Sequence, residues 1–442
     1  ELEETGKVAS TGFYANTVNQ KFTFDATDKL SFYARGGYYD NKTRRPYEAY
    51  DYNILHETFN YGIGAQYMIN KGNYITADCY ADHFSSSYCF FKDNKTYNGK
   101  AGEEQVRKRT RNHNLSIKGI FKLGNRHKLS VGTEYIVDVL KSQTDNIAKE
   151  DAYTLALFAQ DEIKLLRNLQ ALIGVRYIYH ENFKNHATPN VALMYKPGKF
   201  NFRASYAAGF RTLTLSELYA TDIAKKNDRL TIGNLDLKPE KNNYFSLSAE
   251  YVHERFSVSV NAFYNNIRDM IDYNTIATGD KAMEQYGHKE VRQRDNIAEA
   301  KVHGINVSAN AYLGAGFNLS GGYTHLNTQD VELEQPIDKS IKNAYNINAQ
   351  WAHSWKIYRL NINLNGRFNS KRFSKSYGYA PEYQLWDLNT RHSFNLKSVI
   401  IEPGCGMENL FDYMDDRPYN SNYATLTPGR SFYISLSLKF KS

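Results

Sequence analysis

Ser431-Phe432-Tyr433-Ile434-Ser435-Leu436-Ser437-Leu438-Lys439-Phe440, at the end of the chain, is the stretch that decides the fold. Phe432, Ile434, Leu436, Leu438 and Phe440 fall on one face, and Ser431, Tyr433, Ser435, Ser437 and Lys439 on the other. Alternation of this kind is a strand with one apolar and one wet side. The pattern returns upstream. Val258, Val260 and Tyr264 oppose Ser257, Ser259 and Asn261; Ile305, Val307 and Ala309 oppose Asn306, Ser308 and Asn310. Leu360, Ile362 and Leu364 oppose Asn361, Asn363 and Asn365, and Tyr345, Ile347, Ala349 and Trp351 oppose Asn346, Asn348 and Gln350. Counting such runs predicts about nineteen strands at roughly 23 residues per strand and connection, against a spanning need of about ten.

The connections have a rhythm. Short ones fall at Asp25–Lys29, Asn70–Asn73, Leu123–Arg126, Lys164–Asn168, Lys196–Lys199, Val252–Arg255, Leu313–Gly316, His353–Lys356 and Leu396–Ser398. Between them lie long polar, aromatic-rich segments: Ser85–Arg109, Gly209–Lys241, Met270–Asp295, Thr328–Asn343, Lys371–Tyr383 and Asn409–Arg430. Hairpins short on one rim and long on the other describe an all-β, antiparallel transmembrane β-barrel of the outer-membrane kind. In such a wall the apolar face meets lipid, the polar face lines an aqueous lumen, and closure pairs the backbone. Tyr33, Tyr179, Tyr195, Tyr251, Tyr312, Trp351 and Trp386 are expected at the interfacial belts. A soluble propeller would give the short/long rhythm no reason to exist, and no blade-length motif recurs.

Composition agrees. With a mean hydropathy of −0.62, no stretch nears the 18 or so apolar residues of a spanning helix. Thirty-six Tyr and 24 Phe make the chain too apolar for a disordered coil. Three Cys do not make a disulfide scaffold, and Cys79 and Cys89, ten positions apart on one strand, lie about 33 Å apart, too far to bridge. The net charge of +8 is spread along the chain, unlike that of a nucleic-acid binder. His residues are scattered and no G-x-S-x-G elbow occurs, so no enzyme is expected.

The last strand must end on the short-turn rim, because the long Asn409–Arg430 segment precedes it. Counting back, the first strand (about Ser10 to Phe24) starts on the long-loop rim, which places Glu1 in or beside an outer loop. An odd count, where closed bacterial barrels are even, implies strands upstream of this chain.

Two regions carry a family resemblance. Gly209-Phe210-Arg211, Glu217-Leu218-Tyr219 and Asn234-Leu235-Asp236-Leu237-Lys238-Pro239-Glu240 resemble the paired barrel motifs of TonB-dependent outer-membrane receptors. Glu408-Asn409-Leu410-Phe411-Asp412, Pro428-Gly429-Arg430 and the final strand resemble that family's C-terminal signature, with Tyr433, Leu436, Leu438 and Phe440 as its assembly signal and two residues beyond Phe440. The resemblance implies a 22-stranded barrel in the bacterial outer membrane, of which residues 1–442 supply one barrel domain of about nineteen strands. It also implies an N-terminal plug, further strands and a TonB box that lie off this chain, and thus a TonB complex as partner. A surface lipoprotein is expected as a further partner over the long-loop rim.

In haem receptors of the family the first motif continues Ala-Pro, and the second reads Asn-Pro, with a ligating His between. Here Thr212-Leu213 and Leu235 stand instead, and no His lies between Arg211 and Asn234. The resemblance and the implied size therefore point first to import of a cobalamin-like corrinoid, with haem or a ferric siderophore as the alternative and a passive porin-type channel as a second.

Ligand contacts are expected from the long loops: Tyr88, Phe90, Phe91 and Tyr97; Arg211 and Tyr219; Tyr273, Tyr286 and His288; Tyr377 and Tyr379. Loop aromatics also pack upon one another, so each is a candidate only. His180 and His186 could bracket a metal or haem iron but lack an evident third ligand. Asp145, Glu150 and Asp151 could hold Ca²⁺, yet no EF-hand pattern is present. No metal and no cofactor are expected.

Overall fold

The computed structural model describes residues 12–45, 50–224, 228–375, 378–414 and 429–441. Its first ten strands are β1 (Phe13–Asp25), β2 (Leu30–Thr43), β3 (Tyr52–Asn70), β4 (Asn73–Phe90), β5 (Glu104–Leu123), β6 (His127–Ser142), β7 (Ile147–Leu166), β8 (Leu169–His180), β9 (Lys184–Tyr195) and β10 (Phe200–Arg211). A short helix α1 (Leu215–Tyr219) and two four-residue strands, β11 (Thr221–Ala224) and β12 (Arg229–Ile232), follow. Then come β13 (Glu240–Val252), β14 (Phe256–Thr278), helix α2 (Gly279–Tyr286), β15 (Glu290–Gly314), β16 (Phe317–Asp330), β17 (Asn343–Trp355) and β18 (Tyr358–Asn369). A small hairpin of β19 (Arg372–Ser374) and β20 (Gly378–Ala380) precedes β21 (Tyr383–Asn395), β22 (Val399–Glu408) and β23 (Ser431–Phe440). Setting aside β11, β12, β19 and β20, nineteen strands form the wall, each antiparallel to its neighbour in chain order. This is the number that the alternation predicts.

All nine expected short turns are present at one rim. Among the described residues β1 pairs only with β2, and β23 only with β22, so the wall is an open arc with two free edges. Glu1 lies outside the described residues; β1 does start at the long-loop rim and run to a short turn.

Register fixes the faces. One outward row runs Ala34, Ile63, Cys79, Leu115, Tyr135, Leu155, Tyr179 across seven strands. On β23, Ile434 is 89% exposed and Phe440 82%, as suits side chains meant for lipid. The inward rows are polar and bonded across strands, as in Ser205–Ser246 (2.6 Å), Ser259–Ser308 (2.7 Å) and Asn348 Nδ2 donating to Asn363 Oδ1 (2.7 Å). Tyr33 departs from the expected belt: its hydroxyl donates to Asp78 on the inward face. Tyr433 likewise faces inward, donating to Asn389 Oδ1 at 2.6 Å, whereas Leu436, Leu438 and Phe440 of the same signal face outward. Cys79, Cys89 and Cys405 are free thiols. No helix among the described residues is long and apolar enough to cross a membrane.

The outer rim departs from the simple rhythm. Its connections 143–146, between β6 and β7, and 181–183, between β8 and β9, are as short as the inner turns. They leave a low place in the rim. The long segment between β10 and β13 folds into it, against Asp145 of one short connection and Phe183 of the other.

Candidate functional site

The unit that fills the low place is built from the first sequence motif. Thr214 caps α1: its hydroxyl accepts from the Glu217 backbone N–H, and the Glu217 carboxylate accepts from the Thr214 N–H, a reciprocal capping box. Leu215 packs with Leu140, Ile147 and Ala152 of the strands below, while Leu213 and Leu218 pack with Leu237. Tyr219 lies against both clusters. The Thr221 N–H donates to the Asp145 carbonyl and Ser216 Oγ to the Asp145 carboxylate (both 2.8 Å), stitching the unit to the short 143–146 turn. Strand β12 then adds in parallel to the outward extension of β15, over a cluster of Leu230, Ala277, Ala282 and Val291.

Arg211 is the bolt. Its guanidinium donates to both Glu217 carboxylate oxygens (3.0 and 3.1 Å) and to Glu240 Oε1 (2.8 Å), so one cation holds the first residues of the motif to its last. Burial by itself would raise the Glu217 carboxyl, but Arg211 and the Thr214 donors outweigh it and hold the group below its ordinary 4.5. The Asn234–Glu240 stretch is pinned through Asn296, which accepts from the Lys238 N–H (2.7 Å) and donates to the Lys238 (2.8 Å) and Asp269 (2.6 Å) carbonyls. A Cβ on Gly233 would stand 2.5 Å from the Leu218 carbonyl oxygen, so the chain passes there only as glycine.

A second arrangement lies over β3, β4 and β5. Tyr52 and Tyr88 stack at 4.0 Å, with Phe90 at 5.7 Å and Tyr97 at 5.7 Å from Tyr52, and Tyr97 edge-on to Tyr88 at 5.2 Å. Tyr52, Tyr88 and Phe90 share the lumen-facing register. Two cations flank them: the Arg45 guanidinium sits 5.1 Å from the Tyr52 ring, and that of Arg107 sits 5.3 Å from Tyr88 and 4.9 Å from Tyr97.

Arg107 reaches there through a bulge. Ser86 pairs with Lys108 and Ser87 with Val106, so Arg107 is the extra residue, re-aimed over the rings. It donates to Gln143 Oε1 at 2.7 Å, and its Nε is buried without an acceptor among the described residues.

The loop is shaped beforehand. Asn94 bridges to Gly99 and donates to Asp51 Oδ2 (2.7 Å), while the Tyr97 N–H donates to Asn94 Oδ1 (2.9 Å). Gly99 admits the Phe90 ring, which a Cβ would meet at 2.5 Å. Burial pushes the Tyr97 phenol up, keeping it a neutral donor.

Residues 4–409 match the family described as TonB dependent receptor-like, beta-barrel. The chain belongs to that family. TonB-dependent receptors are outer-membrane barrels that work with TonB and have an N-terminal plug, and they are receptors and transporters. Among solved structures, the wall is similar to a mutant of the ferric enterobactin receptor PfeA from Pseudomonas aeruginosa (TM-score 0.83, 16% identity, 99% of this chain and 71% of that one). It is also similar to the siderophore receptor PirA from Acinetobacter baumannii (0.78, 14%, 99% and 73%) and to the copper transporter OprC (0.74, 11%, 96% and 71%). At such identities the likeness concerns the fold.

For this TonB-dependent barrel, the sequence candidates separate. Tyr88, Phe90 and Tyr97 come together in the ring cluster; Tyr52, Arg45 and Arg107 complete it and were not singled out, because nothing local marks a bulge or a partner strand. Phe91 is half-buried beside it, its N–H donating to the Asp51 carbonyl (2.9 Å). Arg211 and Tyr219 are held inside the α1 unit. Tyr273 lies beneath the Arg294 guanidinium at 3.6 Å, and Tyr286 is exposed on α2.

His288 pairs with Asp228 at 2.8 Å, and that hydrogen bond holds the Asp228 carboxyl below its usual range. Tyr379 is exposed beside Phe373; Tyr377 lies outside the described residues, as does most of the Asn409–Arg430 loop. His180 and His186 sandwich Phe183 (3.9 and 5.4 Å), and Asp145 is taken up by Ser216 and Lys108. Among the described residues no three His, Cys, Asp or Glu gather as a metal site.

Proposed function

We propose that this barrel belongs to a receptor that captures a ferric siderophore at its outer vestibule for TonB-driven import. The carrying observation is the ring cluster of Tyr52, Tyr88, Phe90 and Tyr97 facing the lumen between Arg45 and Arg107. An iron(III) chelate with oxygen donors is anionic and presents flat, polarisable edges. Stacking area supplies affinity, and each cation over a ring adds about 0.5–2 kcal/mol and brings positive charge toward the anion.

The corrinoid put first by the sequence fits this chemistry less well, because its rim is made of neutral amides. Haem import would use accessible imidazoles, whereas His180 is buried and stacked on Phe183. Two similar structures, of a ferric enterobactin receptor and a siderophore receptor, support the same choice. Residues 1–442 act as one barrel domain in this reading, and displacement of a plug by the TonB complex opens the lumen. No covalent step is required of the chain.

Calorimetric titration of the full-length receptor tests the reading. A ferric tricatecholate chelate is expected to bind at least about tenfold more tightly than cyanocobalamin or haemin; tighter corrinoid binding would restore the first expectation. Planar-bilayer recordings of the same protein should show little steady conductance, and a large constant one would favour a passive channel.

A further inference from the structure

The lumen-facing positions divide the wall into two arcs of different chemistry. From β4 to β8 every strand turns charge into the lumen, as with Asp78, Lys118, Glu134, Glu162 and Arg176. Some of these charges are answered within the wall: Glu134 pairs with Arg176, and Glu162 with Lys128 at 3.0 Å. Lys118 and Lys164 have no carboxylate partner among the described residues.

From β14 to β17 the chemistry changes. No Asp, Glu, Lys or Arg takes a lumen-facing position at 257–267 of β14, 300–312 of β15, 318–328 of β16 or 344–354 of β17. One row across the strands reads Ser257, Asn310, Ser320, Asn348, and the next Ser259, Ser308, Gly322, Asn346. Ser308, Asn310, Asn318 and Asn346 are exposed to the lumen. Where these groups bond, they bond to one another, as Thr324 Oγ1 donates to Asn306 Oδ1 at 2.9 Å. Charge returns on both flanks, with Glu250 on β13 and Arg367 on β18.

A fixed charge in a lumen holds an opposite charge or repels a like one. Amides and hydroxyls do neither: they donate and accept, and exchange one partner for water at little net free energy. Passage through a pore requires sites that are left as readily as they are entered, and many weak ones serve better than one strong one. A plug also parts from an uncharged wall without breaking charge pairs, whereas along β4 to β8 it would leave ions unpaired.

We propose that the imported solute descends the lumen along β14 to β17, using their amide and hydroxyl rows as a track of weak, repeated hydrogen-bonding sites. This rests on the reading of the barrel as an importer of an anionic chelate and adds the route. Capture over β3 to β5 and passage along β14 to β17 then fall on different parts of the wall.

The test uses cells that make the full-length receptor together with TonB, with radioiron uptake from a ferric tricatecholate as the readout. Asn310→Asp with Asn346→Asp adds two negative charges to the track, and should lower the maximal uptake rate about tenfold while calorimetric affinity stays within about twofold. Asn310→Gln with Asn346→Gln, which keeps the amides, should import at the wild-type rate. Asn114→Asp with Gln160→Glu adds the same charge to β5 and β7, and should change uptake by less than about twofold. A second measurement needs no added charge. Ser308→Cys should gain reactivity toward a membrane-impermeant maleimide during import, above the three native thiols, and Ser116→Cys on β5 should not.

Undiminished uptake with the Asp pair, an equal loss with the Gln pair or the β5 and β7 pair, or labelling at Ser116→Cys in place of Ser308→Cys would each overturn the track. These outcomes are read with chelate binding intact. A wild-type receptor that binds no chelate would instead overturn the assigned solute, and the track with it.

Discussion

Arg211 and Arg107 stand on the same outer rim, and the structure uses them in opposite ways. Around Arg211 the chain answers its own charge: Glu217 and Glu240 close on the guanidinium, and the capped helix and three apolar clusters make that region a folded wedge. Around Arg107 the chain leaves charge unanswered, with rings, one amide and a buried donor without an acceptor. A satisfied arginine holds structure; in the proposed reading the other faces the ligand. The family motif therefore marks the scaffold, and the proposed capture surface lies where no motif does.

The sharpest way to break this contrast is to remove the rings. Tyr52→Ala with Tyr88→Ala should weaken ferric tricatecholate binding about 100-fold by calorimetry, with hydrogen-exchange protection across 212–239 unchanged. Retained affinity would move capture elsewhere on the rim.

Arg211→Ala should do the reverse. Glu217 and Glu240 are only 13% and 17% exposed, so leaving them unpaired costs about 2 kcal/mol, seen as faster exchange in 212–239, with chelate affinity within about threefold. Gly233→Ala should loosen the same segment by about 1.5 kcal/mol, because its Cβ has no room against the Leu218 carbonyl.

A smaller effect comes from pH. The Glu217 carboxyl titrates lower folded than unfolded, so the unfolded segment takes up protons first as acid is added. Protection of 212–239 should hold from neutrality to near the ordinary 4.5 and fall below it as Glu217 protonates; loss already at pH 6 would point to another group. The smallest effects belong to Tyr286→Ala and Tyr379→Ala, whose exposed rings should change chelate affinity by less than about twofold. A larger loss at Tyr379 would extend the capture surface to the β18–β21 loop.

Much of the wall was legible in advance because each strand states its own two faces. Leu436, Leu438 and Phe440 face outward as the alternation requires, and the nine short turns fall where polar and glycine residues interrupt it. Tyr33 escaped because an aromatic at a strand end reads alike on either face; only its pairing with Asp78 decides. The vestibule was half legible. Tyr88, Phe90 and Tyr97 stood out as loop aromatics, but Tyr52 and Arg45 lie some forty residues upstream of them, and nothing local ties the two stretches.

Sequence alone determined that this chain is a lipid-facing barrel wall of nineteen strands, because a period of two is a local property that each residue shares with its second neighbour. Tertiary structure decided which arginine is spent and which is available. That depends on a bulge between Ser86 and Ser87 and on one carboxylate, Glu240, brought from 29 positions away, and pairing across a sheet leaves no trace in the spacing of either strand by itself.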